Sequence, residues 1–135
     1  MRIAFDSDVL IYAADSNNLL GQKVRRLLTD SSLDAKRVGS VLLLPEILTK
    51  PTKTQNATEL QALNASLTRL DIIPVHLAIA TSAISVGAAY NLKTADATHL
   101  ATAIYKGADQ FLTNNRKDFK KEQVLELDIL YPDEL

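Results

Sequence analysis

Three apolar residues, Ile3-Ala4-Phe5, run straight into Asp6-Ser7-Asp8 at the start of the chain. An unbroken apolar run offers no polar face to water, so it reads as a strand buried on both sides in a parallel sheet. The acids that follow place its carboxyl end in a polar loop. The rest of the chain alternates in a way that suits such a sheet. Val9 to Ala14 starts a short helix, and Asn17 or Asn18 caps another in which Leu19, Leu20, Val24, Leu27 and Leu28 recur at helical spacing, with Lys23, Arg25 and Arg26 on the outer side. Arg37 to Val41 reads as a second strand. Leu42 to Leu48 reads as a helix with Pro45 in its first turn and Pro51 as its stop.

Thr54 is placed to cap a helix through Leu60, Leu63, Leu67 and Leu70, and Asp71 to Val75 follows as a strand that Pro74 pushes toward an edge or an end. His76 to Tyr90 is a further helix with Asn91 as a left-handed C-cap. Thr94 caps the helix from Ala95 to Lys106, which stops at Gly107. Gln110 to Thr113 is a strand, and Val124 to Leu130 holds one more. Strands separated by helices define an α/β sandwich with a mainly parallel central sheet. With 135 residues, 47% of them apolar, and no repeat or linker, residues 1–135 are expected to form one domain with a real core.

Composition excludes several chemistries. Without cysteine there are no disulfides, thiolate zinc sites or thiol nucleophiles, and only two histidines rule out a histidine-rich metal centre. The chain is thus suited to a reducing cytoplasm, and no secretion signal is read at its start. The uncharged run from Ile72 to Leu92 holds Pro74, His76, Thr81, Ser82, Ser85 and Asn91, too polar for a membrane span. A net charge of −1 provides no overall field for nucleic acid, so any such binding needs a local patch.

In parallel α/β folds ligands sit beyond the carboxyl ends of the strands. Three acids stand there or in the next helical turn: Asp6, Glu46 and Asp96. Each alone also has a structural reading, as a turn-forming Asp or as a carboxylate complementing a helix dipole. Together, clustered carboxylates repel and ask for a cation, and oxygen ligands of this kind suit magnesium or manganese. His99, one turn after Asp96, reads as a packed, hydrogen-bonded core residue. After Phe111-Leu112 comes Thr113-Asn114-Asn115-Arg116-Lys117-Asp118-Phe119. Arg116, Lys117, Lys120 and Lys121 form a local positive patch, suited to phosphate contacts or else simply a solvated charge run.

Ile3 to Tyr12, Glu46, Asp96-Ala97-Thr98-His99-Leu100-Ala101-Thr102-Ala103 and Phe111 to Phe119 together resemble the PIN-domain nucleases, and most of all their VapC-type members, the toxins of toxin–antitoxin pairs. The resemblance implies a three-layer α/β/α sandwich around the mainly parallel central sheet and a metal-dependent endoribonuclease, with Asp6, Glu46 and Asp96 as the acids around Mg2+ or Mn2+ and Ser7 orienting the first of them. Family members often carry a further acid where this chain has Asn115, and Asp118 is the substitute nearby. Arg116 and Lys117 would guide the RNA backbone, with Asn115 beside them. The resemblance further implies a cognate antitoxin and a homodimer. Two other readings compete. A PIN-like scaffold that binds RNA or protein without turnover is favoured by Asn115. A haloacid-dehalogenase-like phosphatase shares the Asp6-Ser7-Asp8 opening, but Val9-Leu10 stands where that group needs Gly-Thr.

Overall fold

Side chains of the first strand are buried on alternate faces, as a pleated chain requires: Ile3 and Phe5 pack into one apolar cluster and Ala4 into another on the opposite side. The computed structural model describes residues 1–32 and 34–135. In chain order the elements are β1 (Arg2–Phe5), α1 (Ser7–Ala14), α2 (Leu19–Thr29), β2 (Lys36–Ser40), α3 (Leu43–Lys53), α4 (Ala57–Leu67), β3 (Asp71–Ile73), α5 (Leu77–Tyr90), α6 (Thr94–Tyr105), β4 (Gln110–Leu112) and β5 (Asp128–Leu130). A 3-10 turn over Pro132–Glu134 follows. The strands form one sheet in the order β3-β2-β1-β4-β5, every pair parallel.

The helices divide between the two faces. Val9, Leu10 and Ala13 of α1, Val24 and Leu28 of α2, Leu43 and Ile47 of α3 and Leu63 and Leu67 of α4 cover the Ile3/Phe5 side. Ile79 and Val86 of α5 and Ala97, Leu100, Ala101 and Ala103 of α6 cover the other side with Phe111, Phe119 and Ile129. The result is the expected three-layer α/β/α sandwich. Close approach of α1 and α2 depends on Gly21, where a Cβ would lie 1.9 Å from the Tyr12 carbonyl oxygen. Among the described residues no helix is long and apolar enough to cross a membrane.

Several sequence expectations meet the structure directly. Asn18 caps α2, its side chain accepting from the Gly21 amide at 2.9 Å. Asn91 takes the left-handed conformation at the end of α5, and β3 is an edge strand. Three boundaries need correcting. Pro51 does not stop α3, which runs two residues further to Lys53. Pro51 lacks only one amide donor there, and its ring is buried in the interior. The cap of α4 is Asn56, not Thr54, because the Asn56 side chain reaches the Glu59 amide at 3.1 Å while Thr54 closes α3. Thr94 is the first residue of α6, where its carbonyl accepts from the Thr98 hydroxyl, and Lys93 occupies the cap without a side-chain bond.

Candidate active site

With β1 in the middle of the order, the sheet continues to β2 on one side and to β4 on the other, which opens a crevice at the carboxyl ends of β1 and β4. Asp6 stands in it. The Asp6 amide donates to the Leu112 carbonyl at 3.0 Å, so the residue stays in register with β4 just past the end of β1. Its carboxylate caps α1, with Oδ1 accepting from the Ser7 amide at 2.8 Å and Oδ2 from the Thr113 hydroxyl at 2.7 Å. Asp6 is 3% exposed, and Thr113 is fully buried. Two strands and a helix N-terminus thus fix one carboxylate.

The other acids arrive on helix first turns. Asp8 lies in the first turn of α1, Glu46 in that of α3 and Asp96 in that of α6. Asp8 Oδ2 accepts from the Asn114 amide at 3.0 Å, while its Oδ1 is buried without a hydrogen-bond partner. His99, 2% exposed, turns Nε2 onto Glu46 Oε1 and ties α6 to α3 across the crevice. Asp118 is held in the loop after β4, where the Asn115 side-chain amide donates to its Oδ2 at 3.0 Å.

These groups share one electrostatic field. Burial, then the charge of Asp6, pushes the Asp8 carboxyl up to about 7, against the pull of its backbone hydrogen bonds. Burial, then Asp6 and Asp118, lifts Asp96 to about 6, with Glu46 adding to the rise and His99 opposing it. Asp6 is raised by its own burial and further by Glu46, with His99, Thr113 and Ser7 pulling the other way. For His99, burial disfavours the cation, but the Glu46 hydrogen bond and the charges of Asp6, Glu46 and Asp96 prevail and raise its pKa. Carboxylates that raise one another in this way are stabilised by a cation between them.

The donor set fits such an ion. All the acids offer hard oxygen ligands, which suit magnesium or manganese, and the partnerless Asp8 Oδ1 is a buried lone pair that a cation would satisfy. Among the described residues, no group of three or more His, Asp or Glu side chains stands close enough together to hold a metal ion with the side chains as they are placed.

The structure therefore gathers Asp6, Glu46, Asp96 and Asp118, all singled out from the sequence, and adds Asp8, Thr113 and His99. Ser7 orients Asp6 through its backbone amide. Asn115 bridges Thr113 and Asp118, its amide donating to the Thr113 hydroxyl oxygen at 3.0 Å. Arg116 reaches Asp133 at 2.5 Å and lies 4.3 Å over the Tyr131 ring, whereas Lys117 is exposed at the rim. Asp8 could have been found as the second carboxylate beyond the same buried strand, and Thr113 as a hydroxyl at the end of another. His99 carries a sequence signal only through its place one turn after Asp96.

The acids therefore stand at the carboxyl edge of a five-stranded parallel sheet, Asp6 buried, Asp8, Asp96 and Asp118 half-buried and Glu46 open to solvent. The chain is a member of the PIN domain family, matched over residues 3–123. That span contains every acid of the cluster. A comparison with curated proteins finds no match. Among solved structures the fold is similar to a toxin–antitoxin complex from Klebsiella pneumoniae at 22% identity, covering 96% of this chain and 97% of that one with a TM-score of 0.73. It is also similar to VapBC2 from Rickettsia felis bound to a promoter DNA fragment, at 18% identity, 97% and 98% coverage and a TM-score of 0.76. A third similar structure is the Mycobacterium tuberculosis toxin VapC20, described as cleaving the sarcin-ricin loop, at 16% identity, 93% and 98% coverage and a TM-score of 0.65.

Proposed function

We propose that this protein is a divalent-metal-dependent endoribonuclease and the toxin of a toxin–antitoxin pair. The observation that carries the reading is the convergence of Asp6, Asp8, Glu46, Asp96 and Asp118, brought from separate elements into one field where Asp6, Asp8 and Asp96 are raised toward their neutral forms. Burial is the main cause of each rise and neighbouring acids add to it, and a fold has little reason to bury carboxylates beside one another unless a cation is to offset their charge. Membership of the PIN domain family supports nuclease chemistry, and the toxin and toxin–antitoxin structures among its fold relatives support the biological role.

Asp6, Glu46 and Asp96 would hold Mg2+ or Mn2+ together with the partnerless Asp8 Oδ1, with Asp118 completing the negative field. Bound there, such an ion supplies Lewis acidity toward water and the phosphoryl oxygens. The chain's own residues do the rest. Thr113 and the Ser7 amide keep the Asp6 carboxylate from rotating, His99 holds Glu46 in place, and Asn115 directs Asp118 toward Asp96. A cognate antitoxin and pairing of two copies belong to the same reading. The uncharged helix α5, which leaves Leu77 and Ile84 exposed, is consistent with the second.

The test is cleavage of structured and single-stranded RNAs by purified protein with manganese, magnesium or chelator, beside Asp6→Asn and Asp96→Asn. Metal-dependent cutting lost in both variants is the expected result. Cutting that persists in chelator, or in both variants, would overturn the assignment.

A further inference from the structure

The loop after β4 carries four cations whose surroundings differ. Arg116 pairs with Asp133 and stacks on Tyr131, and Lys121 pairs with Glu134 with its ammonium 5.1 Å from the same ring centroid. The turn over Pro132–Glu134 therefore sets two carboxylates against two cations, and that half of the patch is electrically balanced. Lys117 and Lys120 are different: both are exposed, and among the described residues neither ammonium has an ion-pair partner.

Both lysines line one cavity of about 370 Å3, together with Asp118, Tyr90, Asn91 and Gln123. Its far wall is the end of α5, where the left-handed Asn91 turns the chain and the Tyr90 hydroxyl is fixed on both carboxylate oxygens of Glu126, at 2.7 and 2.8 Å. Its near wall is Asp118, whose charge is felt by Asp96. The cavity thus begins where the acid cluster ends, and two lysines against the single Asp118 leave it a positive lining on a chain whose net charge is −1.

We infer that this cavity is a backbone subsite for an RNA strand, in which Lys117 and Lys120 hold a phosphate adjacent to the one presented to the acids. Arg116 and Lys121, committed to the C-terminal turn, contribute little. An acidic cluster repels a polyanion, so a neighbouring positive cradle gives the strand a place to enter. The inference rests on the RNA-cleaving reading for the identity of the ligand, but its test does not depend on turnover.

Binding of a fluorescein-labelled single-stranded RNA is followed by anisotropy against salt, with manganese, in an Asp96→Asn background. Lys117→Ala/Lys120→Ala is compared with a charge-matched pair at the other end of the sheet, Lys36→Ala/Lys106→Ala. Two exposed contacts predict binding weaker by roughly threefold to tenfold in the first pair. The salt slope should fall by about 1.4, from two contacts at about 0.7 each. The second pair should match the parent. With Asp96 restored, the lysine pair should raise KM and leave kcat nearly unchanged. No binding at all, or equal affinity and slope in the two pairs, overturns the subsite. Lysine-dependent binding in a wild-type protein that never cuts RNA would overturn the nuclease reading and leave the subsite standing.

Discussion

Asp96 lies in the first turn of α6, where the helix dipole favours its charge, yet burial and the charges of Asp6, Asp118 and Glu46 lift it to about 6. Replacing it by Asn removes an oxygen anion that the proposed nuclease reading assigns to a metal, and also relieves repulsion. Asp96→Asn is therefore expected to reduce RNA cleavage by about a hundredfold or more, with a thermal unfolding midpoint in chelator equal to or above that of the parent. A lower midpoint would mean that the side chain holds the fold together and is not a charge kept for function. His99 predicts a different split. It buries an imidazole whose Nδ1 has no partner, in order to place Nε2 on Glu46. His99→Gln, which can still donate to Glu46, should keep more cleavage than His99→Ala; equal losses in the two would show that the ring matters only as packing. This was the least legible part of the site. From the sequence His99 reads as a packed core residue, and it is packed, but nothing in a single chain shows that the partner meeting it is Glu46, 53 positions away. The acids were easier to find, because each follows a strand or opens a helix. Asp8 is harder to single out for the same local reason, since a second Asp two residues after the first also suits a turn.

At the scale of elements, the strands and helices follow from apolar periodicity, whereas their ends depend on which of several competent side chains reaches an amide. Thr54 and Asn56 both suit a helix start, and the backbone decides between them: Gln55 takes a positive φ of 54°, which ends α3 and delivers Asn56 to the Glu59 amide. Pro51 misleads in the same way, because a proline near a helix end removes one donor and the helix can absorb that loss. Asn91 was legible because left-handed backbone strongly restricts residue type. Asn91→Gly should accordingly be neutral or slightly stabilising, and Asn91→Ala should cost about 1 kcal/mol; equal midpoints for the two in chemical denaturation would contradict the cap. Gly21 is a stricter case. An added methyl group meets the Tyr12 carbonyl at 1.9 Å, and the hydroxyl of the same Tyr12 accepts from the Asn114 side-chain Nδ2 at 3.2 Å. Gly21→Ala is expected to cost at least about 2 kcal/mol and to disturb the loop that carries Asn115 and Asp118. The check is whether cleavage falls with stability, or survives unchanged in a variant that still folds.

For the molecule as a whole, the acid cluster makes the metal-free fold sensitive to pH in a direction opposite to ordinary acid denaturation. Asp6, Asp8 and Asp96 have folded-state pKa values above their unfolded ones, so each contributes stability that is fully present below the unfolded value and lost as pH rises through the folded one. His99 acts in the same sense, because a raised imidazole pKa stabilises the fold at low pH and ceases to do so as the proton leaves. With Asp8 titrating at about 7 and Asp96 at about 6, the unfolding midpoint in chelator should decline between pH 5 and pH 8. Asp8 alone should account for a loss on the order of 2 kcal/mol. A divalent cation competes with those protons, so manganese should restore most of the loss at pH 8, where the acids are charged, and add little at pH 5, where they are partly protonated. Asp8→Asn should flatten the chelator profile and shrink the manganese gain. Calorimetry at both pH values decides the matter: a midpoint that rises toward pH 8 in chelator, or a manganese gain of the same size at both, would mean that the carboxylates do not share a field. If they do share it, the buried, crowded negative charge that weakens the fold in chelator at neutral pH is the same charge that draws the cation in.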